Sequence, residues 1–166
     1  MDMQQLSDLY EIQRLKARYF YYMDIREWDA LRELFTDDME LFNETSSKPE
    51  STTPTLVGAD ALIAYFSSSE PTKLTIHHGH TPDIEFIDAD NATGIWAMFG
   101  WSDDPGRGFA IKMYGHYHDR YVRGADGRWR IASMHLTTLR QNAVEPQPSD
   151  QGPVIDPEKM RSLAAN

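Results

Sequence analysis

Three observations predict an α+β fold for this chain, with helices packed on one face of a mostly antiparallel sheet. Apolar residues recur at three- and four-residue steps near the N-terminus. After Lys73 the pattern changes to a series of runs with strand character. Between those runs stand the short Gly-, Asp-, Asn- and Pro-containing clusters that tight reversals need. A length of 166 residues suits one domain able to bury a real core.

Leu9, Ile12, Leu15, Tyr19, Tyr22 and Met23 form one stripe of an amphipathic helix over residues 7–23, with Ser7 as candidate N-cap. A second, shorter helix is predicted over residues 26–35, with Trp28, Leu31, Leu34 and Phe35 on its inner side. TDDMELFN then turns into a short strand. ETSSKPESTTPT, Glu44 to Thr55, is polar, rich in Ser and Thr, and carries two prolines; it reads as a mobile loop and a candidate lid. A third helix follows the Gly58 turn over residues 59–66. Strands are predicted over residues 74–80, 83–87, 92–102, 109–122 and 129–139, with turns at DADN, DDPGRG and GADG. Residues 1–141 make the domain, and the proline-rich tail, residues 142–166, is expected to lie extended over the surface or a neighbouring subunit.

The formal charge of −10 argues against nucleic acid and anionic membranes as partners. The absence of cysteine excludes disulfides, thiolate nucleophiles and thiolate-bound metals. No apolar run approaches the roughly 20 residues that span a bilayer, and the acidic, periodic N-terminus is unlike a signal peptide. A cytoplasmic enzyme or binding protein is the default expectation.

KLTIHHGHTPDIEF holds three of the six histidines. Side chains alternate along a strand, so His77 points one way while His78 and His80 share the other face. The three therefore do not converge on one ion. His116 and His118 in YGHYHDRY share a face and would be the best zinc ligands, but a site needs a third from elsewhere. Ordinary hydrogen-bonded strand histidines remain the alternative reading for each. Asp24 closes the first helix after ARYFYYM. An acid there faces the negative end of the helix dipole, at a cost of a few tenths of a kcal/mol or more. It is either a solvated turn residue before Arg26 or a carboxylate held to orient a histidine.

EIQRLKARYFYYMDIREWDALRELFTDDMEL resembles the opening of SnoaL-like proteins of the nuclear transport factor 2-like superfamily. TIHHGHTPDIEFIDADNATGIWAM and GHYHDRYVRGADGRWRIASMHLTTLR resemble their strands, in the same order. The resemblance implies a cone, a curved sheet wrapped around helices, with an apolar cavity inside its open end. Within the superfamily the pattern is most similar to small cofactor-free lyases: scytalone dehydratase, bile-acid dehydratase and hexachlorocyclohexane dehydrochlorinase. By that resemblance Asp24 and His77 match a catalytic Asp–His pair, and Tyr19 matches a tyrosine five residues before the Asp. Tyr22, Trp28, Phe66, Trp96, Met98, Tyr114, Met134, Leu136 and Thr138 become candidate substrate-binding residues around the cavity, a composition that suits a small, mostly apolar guest.

Some positions depart from the family pattern. The additional Asp of the bile-acid enzyme aligns with Gly100, the second His of scytalone dehydratase lies near Ser102, and an arginine of the last strand falls near Thr138. Asp103 or Asp104 would serve only if a bulge turned it inward, which leaves His116 or Tyr114, if they face the cavity, as the expected proton donors. The resulting expectation is a cofactor-independent lyase or isomerase, without metal, acting on a small apolar cyclic molecule, with His77 as base and Asp24 orienting it. A binding protein using the same cavity and an assembly subunit of a larger enzyme are the alternatives. By family analogy the chain is expected to form a homodimer or homotrimer.

Overall fold

Helix α1 spans Met3–Ile25 and starts earlier than the apolar stripe suggests, because Asp2 rather than Ser7 caps it. The Asp2 carboxylate accepts from the Gln5 amide at 2.8 Å, while the Gln5 side chain accepts from the Asp2 amide at 3.0 Å. Two of the helix's unpaired N-terminal donors are thereby satisfied. The computed structural model describes residues 2–69, 73–104 and 108–145. Helix α2 (Trp28–Arg32) is shorter than expected, since Phe35 already opens β1 (Phe35–Glu44). After the two-residue β2 (Leu56–Val57) comes α3 (Ala59–Ser67), followed by β3 (Leu74–Phe86), β4 (Asn91–Asp104), β5 (Phe109–Arg123) and β6 (Trp129–Val144).

The six strands form one curved, unclosed sheet in the order β2-β1-β6-β5-β4-β3, antiparallel throughout except for the parallel β1–β6 pair. Two expected strands merge into β3. The break anticipated at Thr81 and Pro82 is a register shift between His80 and Asp83, with Thr81 at a φ of 28°, and pairing to β4 continues across it. The expected tail also begins later, since β6 carries the ladder to Val144; residues 146–166 lie outside the described residues. The polar segment after Glu44 is folded back on β1, because the Glu44 carboxylate accepts the amides of Glu50 and Ser51.

Alternation along the long strands gives the sheet two different faces. Trp96 and Met98 of β4, Tyr117 and Tyr121 of β5, and Ile131 and Met134 of β6 point inward and bury the stripe Ile12, Leu15, Tyr19 and Met23 of α1. The helix lies very close to β3: a Cβ on Gly79 would come within 2.6 Å of the Phe20 ring, so only glycine admits this approach. Among the described residues no helix is long and apolar enough to cross a membrane.

The N-terminal half of α1 is tied down by a buried carboxylate. Asp8 accepts from Trp129 Nε1 at 3.1 Å and from Gln4 at 3.1 Å, and pairs with Arg123, whose guanidinium lies over the Trp129 ring. Burial acts to raise the Asp8 carboxyl, but the bonds from Trp129, Arg123 and Gln4 outweigh it and hold the group below the usual carboxylate range. A carboxyl depressed in the folded state contributes stability above its unfolded-state value and loses that contribution as pH falls. Asp8→Asn should therefore lower stability at pH 7 by about 1–3 kcal/mol. Urea unfolding between pH 7 and pH 3 should show a flatter acid dependence in the variant than in the parent.

Candidate active site

The C-terminus of α1 is brought onto β3 by a single carboxylate. Asp24 Oδ1 lies 2.6 Å from His77 Nδ1 and accepts from Thr75 Oγ1 at 3.2 Å, while Oδ2 accepts the His77 backbone amide at 2.9 Å. β3 is an edge strand, so its outward amides have no strand partner; Asp24 satisfies one of them. These bonds offset the unfavourable place of an acid at a helix C-terminus. The chain then leaves the helix through Arg26, the C-cap, in the left-handed conformation at φ 63°. A non-glycine residue there costs roughly 1–2 kcal/mol. The Arg26 guanidinium reaches across to donate to the Lys73 carbonyl at 2.9 Å, clamping the same turn to the start of β3.

The Asp24 and His77 side chains are only 23% and 13% exposed, so the pair is screened from bulk water without being sealed. An ionised Asp24 fixes the tautomer with hydrogen on Nδ1, which leaves a lone pair on Nε2. The Tyr19 ring packs on the imidazole with centroids 6.4 Å apart. Tyr19 is itself buried, and burial first, then the charges of Asp119 and Asp24, push its hydroxyl well above the ordinary value. It stays un-ionised at all physiological pH values.

A hollow of about 220 Å³ adjoins the pair, walled by Met23, Arg26, Trp28, Tyr65, Phe66 and Thr75, with Asp104 and Lys73 at its border. Neither Asp24 nor His77 is among its walls; Thr75, bonded to Asp24, is the link. Of the expected lining residues Trp28 and Phe66 border this hollow. Tyr22 instead borders a separate hollow of about 490 Å³ with Arg18, Leu34 and Trp129. Trp96, Met98 and Met134 are packed into the core, and Leu136 is packed against it; Thr138 lies on the inner side of β6 opposite Gly115.

Two expected donors are corrected. His116 and Tyr114 alternate with the inward-facing Tyr117 and therefore occupy the outer face of the sheet, away from His77. Tyr114 packs there on Phe99, and His116 lies beside His118, which meets Thr137 Oγ1 at 3.3 Å. Among the described residues no three metal-ligating side chains gather into a site. Opposite His77 on β4 stands Gly100, and opposite Gly100 on β5 stands Met113, so the neighbouring strands place no proton carrier level with the imidazole. Asp104, four residues on from Gly100, does face the hollow, without the bulge expected to be necessary.

Sequence reasoning missed a buried polar chain behind Tyr19. Lys16 Nζ lies 2.7 Å from Asp119 Oδ2, both side chains wholly buried. Asp119 also accepts from Tyr121, which in turn accepts from Trp96 Nε1. A signal was present: Lys16 falls within the helical stripe Ile12–Tyr19–Met23, and Asp119 alternates with Tyr117 and Tyr121.

The model of the SnoaL-like domain matches residues 4–135. Among solved structures, a type 2 hexachlorocyclohexane dehydrochlorinase superposes with a TM-score of 0.75 at 21% identity, covering 90% of this chain and 99% of its own. A putative scytalone dehydratase from Novosphingobium aromaticivorans superposes with a TM-score of 0.66 at 22% identity, covering 91% and 100%. The Kfla4162 protein from Kribbella flavida gives 0.72 at 25% identity, covering 83% and 95%. At these identities the likeness carries the fold.

Asp24→Ala removes the shared acceptor and should cost about 2–4 kcal/mol, three polar donors losing their partner at once. Asp24→Asn, which keeps the shape, should cost less than half of that in urea unfolding.

Proposed function

This chain belongs to the SnoaL-like family, and from that premise we propose that it is a lyase or isomerase working by proton transfer at carbon, with His77 as base and Asp24 as its orienting partner. The observation that carries the reading is the 2.6 Å contact between Asp24 and His77 Nδ1, which commits Nε2 to accept a proton. Nε2 takes the proton from a carbon beside a carbonyl or opposite a leaving group. The electron pair left on carbon forms the new double bond. In an elimination the leaving group departs with its own pair; in an isomerisation His77 returns the proton to a different carbon of the same molecule.

The glycine opposite His77 favours reactions that need only one proton carrier. These are isomerisation, or loss of a group stable as an anion, such as a halide. Loss of hydroxide needs a donor, and Asp104 at the border of the hollow is the carboxyl nearest to hand along β4. The aromatic walls Trp28, Tyr65 and Phe66 suit a small cyclic apolar guest. The structural relatives named for dehydrochlorination and dehydration support elimination as the reaction class. The scheme draws on side chains alone.

The test follows chloride release from hexachlorocyclohexane and double-bond migration in a β,γ-unsaturated cyclic ketone. His77→Ala should reduce kcat/KM on the accepted probe by a factor of about 10²–10⁴ with little change in binding. Asp24→Asn should lose about as much by freeing the wrong tautomer. Binding of a probe with no turnover in the parent and no difference in His77→Ala would establish the carrier reading instead.

A further inference from the structure

The least expected feature inside the fold is an ion pair with no solvent. The side chains of Lys16 of α1 and Asp119 of β5 are both 0% exposed. The ammonium is not aligned for a regular hydrogen bond, and Asp119 Oδ1 has no hydrogen-bond partner among the described residues. A buried pair of this quality contributes little or nothing to stability compared with apolar residues of the same size, because desolvation of two charges consumes the Coulombic gain. Its presence calls for another account.

Its surroundings supply one. Lys16 Nζ stands 3.7 Å from the centre of the Tyr117 ring and 4.7 Å from that of Tyr19, with Phe20 at 5.3 Å. The Tyr19 and Tyr117 rings meet edge to face at 6.1 Å, their hydroxyls share a hydrogen bond, and Tyr19 packs on His77. Charge pair, tyrosine pair and Asp24–His77 pair are thus three consecutive layers. Their order has a direction. His77 is level with Gly100 and Met113 across the sheet. Counting along β5, Tyr117 is closer to that level than Asp119 is. The ammonium sits over Tyr117, on the side of the pair toward that level. Along α1, Lys16 is about 12 Å from Asp24, at 1.5 Å per residue.

We propose that the Lys16–Asp119 pair is a positioning element of the Asp24–His77 site, acting through Tyr19 and Tyr117. It pins α1 to β5 at the depth where Tyr19 meets the imidazole, and it turns the positive end of a buried dipole toward His77. Positive charge on that side works against a second positive charge forming on the ring. This rests on the reading of His77 as base. Burial, ahead of the attraction of Asp119, also draws the Lys16 ammonium below its ordinary range, as a strained charge would be. Of the other charged groups around the site, Asp24 is bonded to His77, while Arg26 at the end of α1, Lys73 before β3 and Asp104 on β4 line the neighbouring hollow. None of them is altered in the test.

The test is an NMR titration of the His77 ring in the parent, in Lys16→Met and in Lys16→Met/Asp119→Asn. Both variants should move the His77 midpoint to higher pH, by roughly half a pH unit in Lys16→Met, as expected for a charge near 10 Å in a partly buried setting, and by a smaller amount in the double variant, which removes both ends of the dipole. The shift should be larger in the single variant if Asp119 keeps its charge. The double variant replaces two buried charges with neutral groups of similar size and should retain the fold even if the single variant does not. Met39→Ala, a core change on β1, should destabilise the protein and leave the midpoint where it was. A folded double variant with an unmoved midpoint, or a Met39→Ala shift of the same size, overturns the proposal. The measurement needs no turnover, so its failure differs from failure of the lyase reading, which would show as a silent enzyme with the expected titration shifts.

Discussion

The contact between the Asp24 carboxylate and β3 is the interaction on which the rest of this site depends. It does three things with one side chain. It satisfies an amide on an unpaired sheet edge, it fixes the tautomer of His77, and it holds the C-terminus of α1 over the concave face. The helix approaches this closely because Gly79 leaves room for Phe20, and the chain turns away at once through the left-handed Arg26. A carboxylate at the wrong end of a helix dipole is thereby used as an acceptor, where in water it would only be a small cost.

The inner face of the sheet is graded. At the α1 C-terminus it is half-open, with Trp28, Tyr65 and Phe66 around a small hollow. Deeper in, it is closed by Trp96, Met98, Met134 and Tyr117. Still deeper it carries the paired charges of Lys16 and Asp119. His77 is thus backed by aromatic rings and, behind them, a buried ion pair, a setting in which electrostatic effects are little screened. The outer face holds a different set of groups. His135 pairs there with Glu44, and the neighbouring charges of His116 and His135, after burial, keep His118 below the usual histidine range.

Much of this was legible in the chain. The stripe of α1, the order of helices before strands, and the turn clusters are local signals, since each depends on the period of a single element. The same alternation put His77 on one face and His78 and His80 on the other, and it set His116 and His118 together on one face of β5. Where the reading went astray, the cause was contact between elements. Which face of β5 looks inward depends on what packs against it, so His116 and Tyr114 were open to either reading until the helix was placed. The closed core around Trp96 and Met134 is likewise a matter of how far α1 sinks into the sheet.

The sequence by itself determined the element types, the SnoaL-like likeness, and the candidacy of Asp24 and His77 through their matching motifs. Only the tertiary structure decided that these two meet, that Thr75 joins them, and that Lys16 is answered by Asp119. The physical reason is separation along the chain. Fifty-odd residues lie between Asp24 and His77 and about a hundred between Lys16 and Asp119, a span over which periodicity carries no information about distance. Those pairings are set by the register of β3 on β4 and of β4 on β5, and by the depth at which Gly79 lets the helix rest.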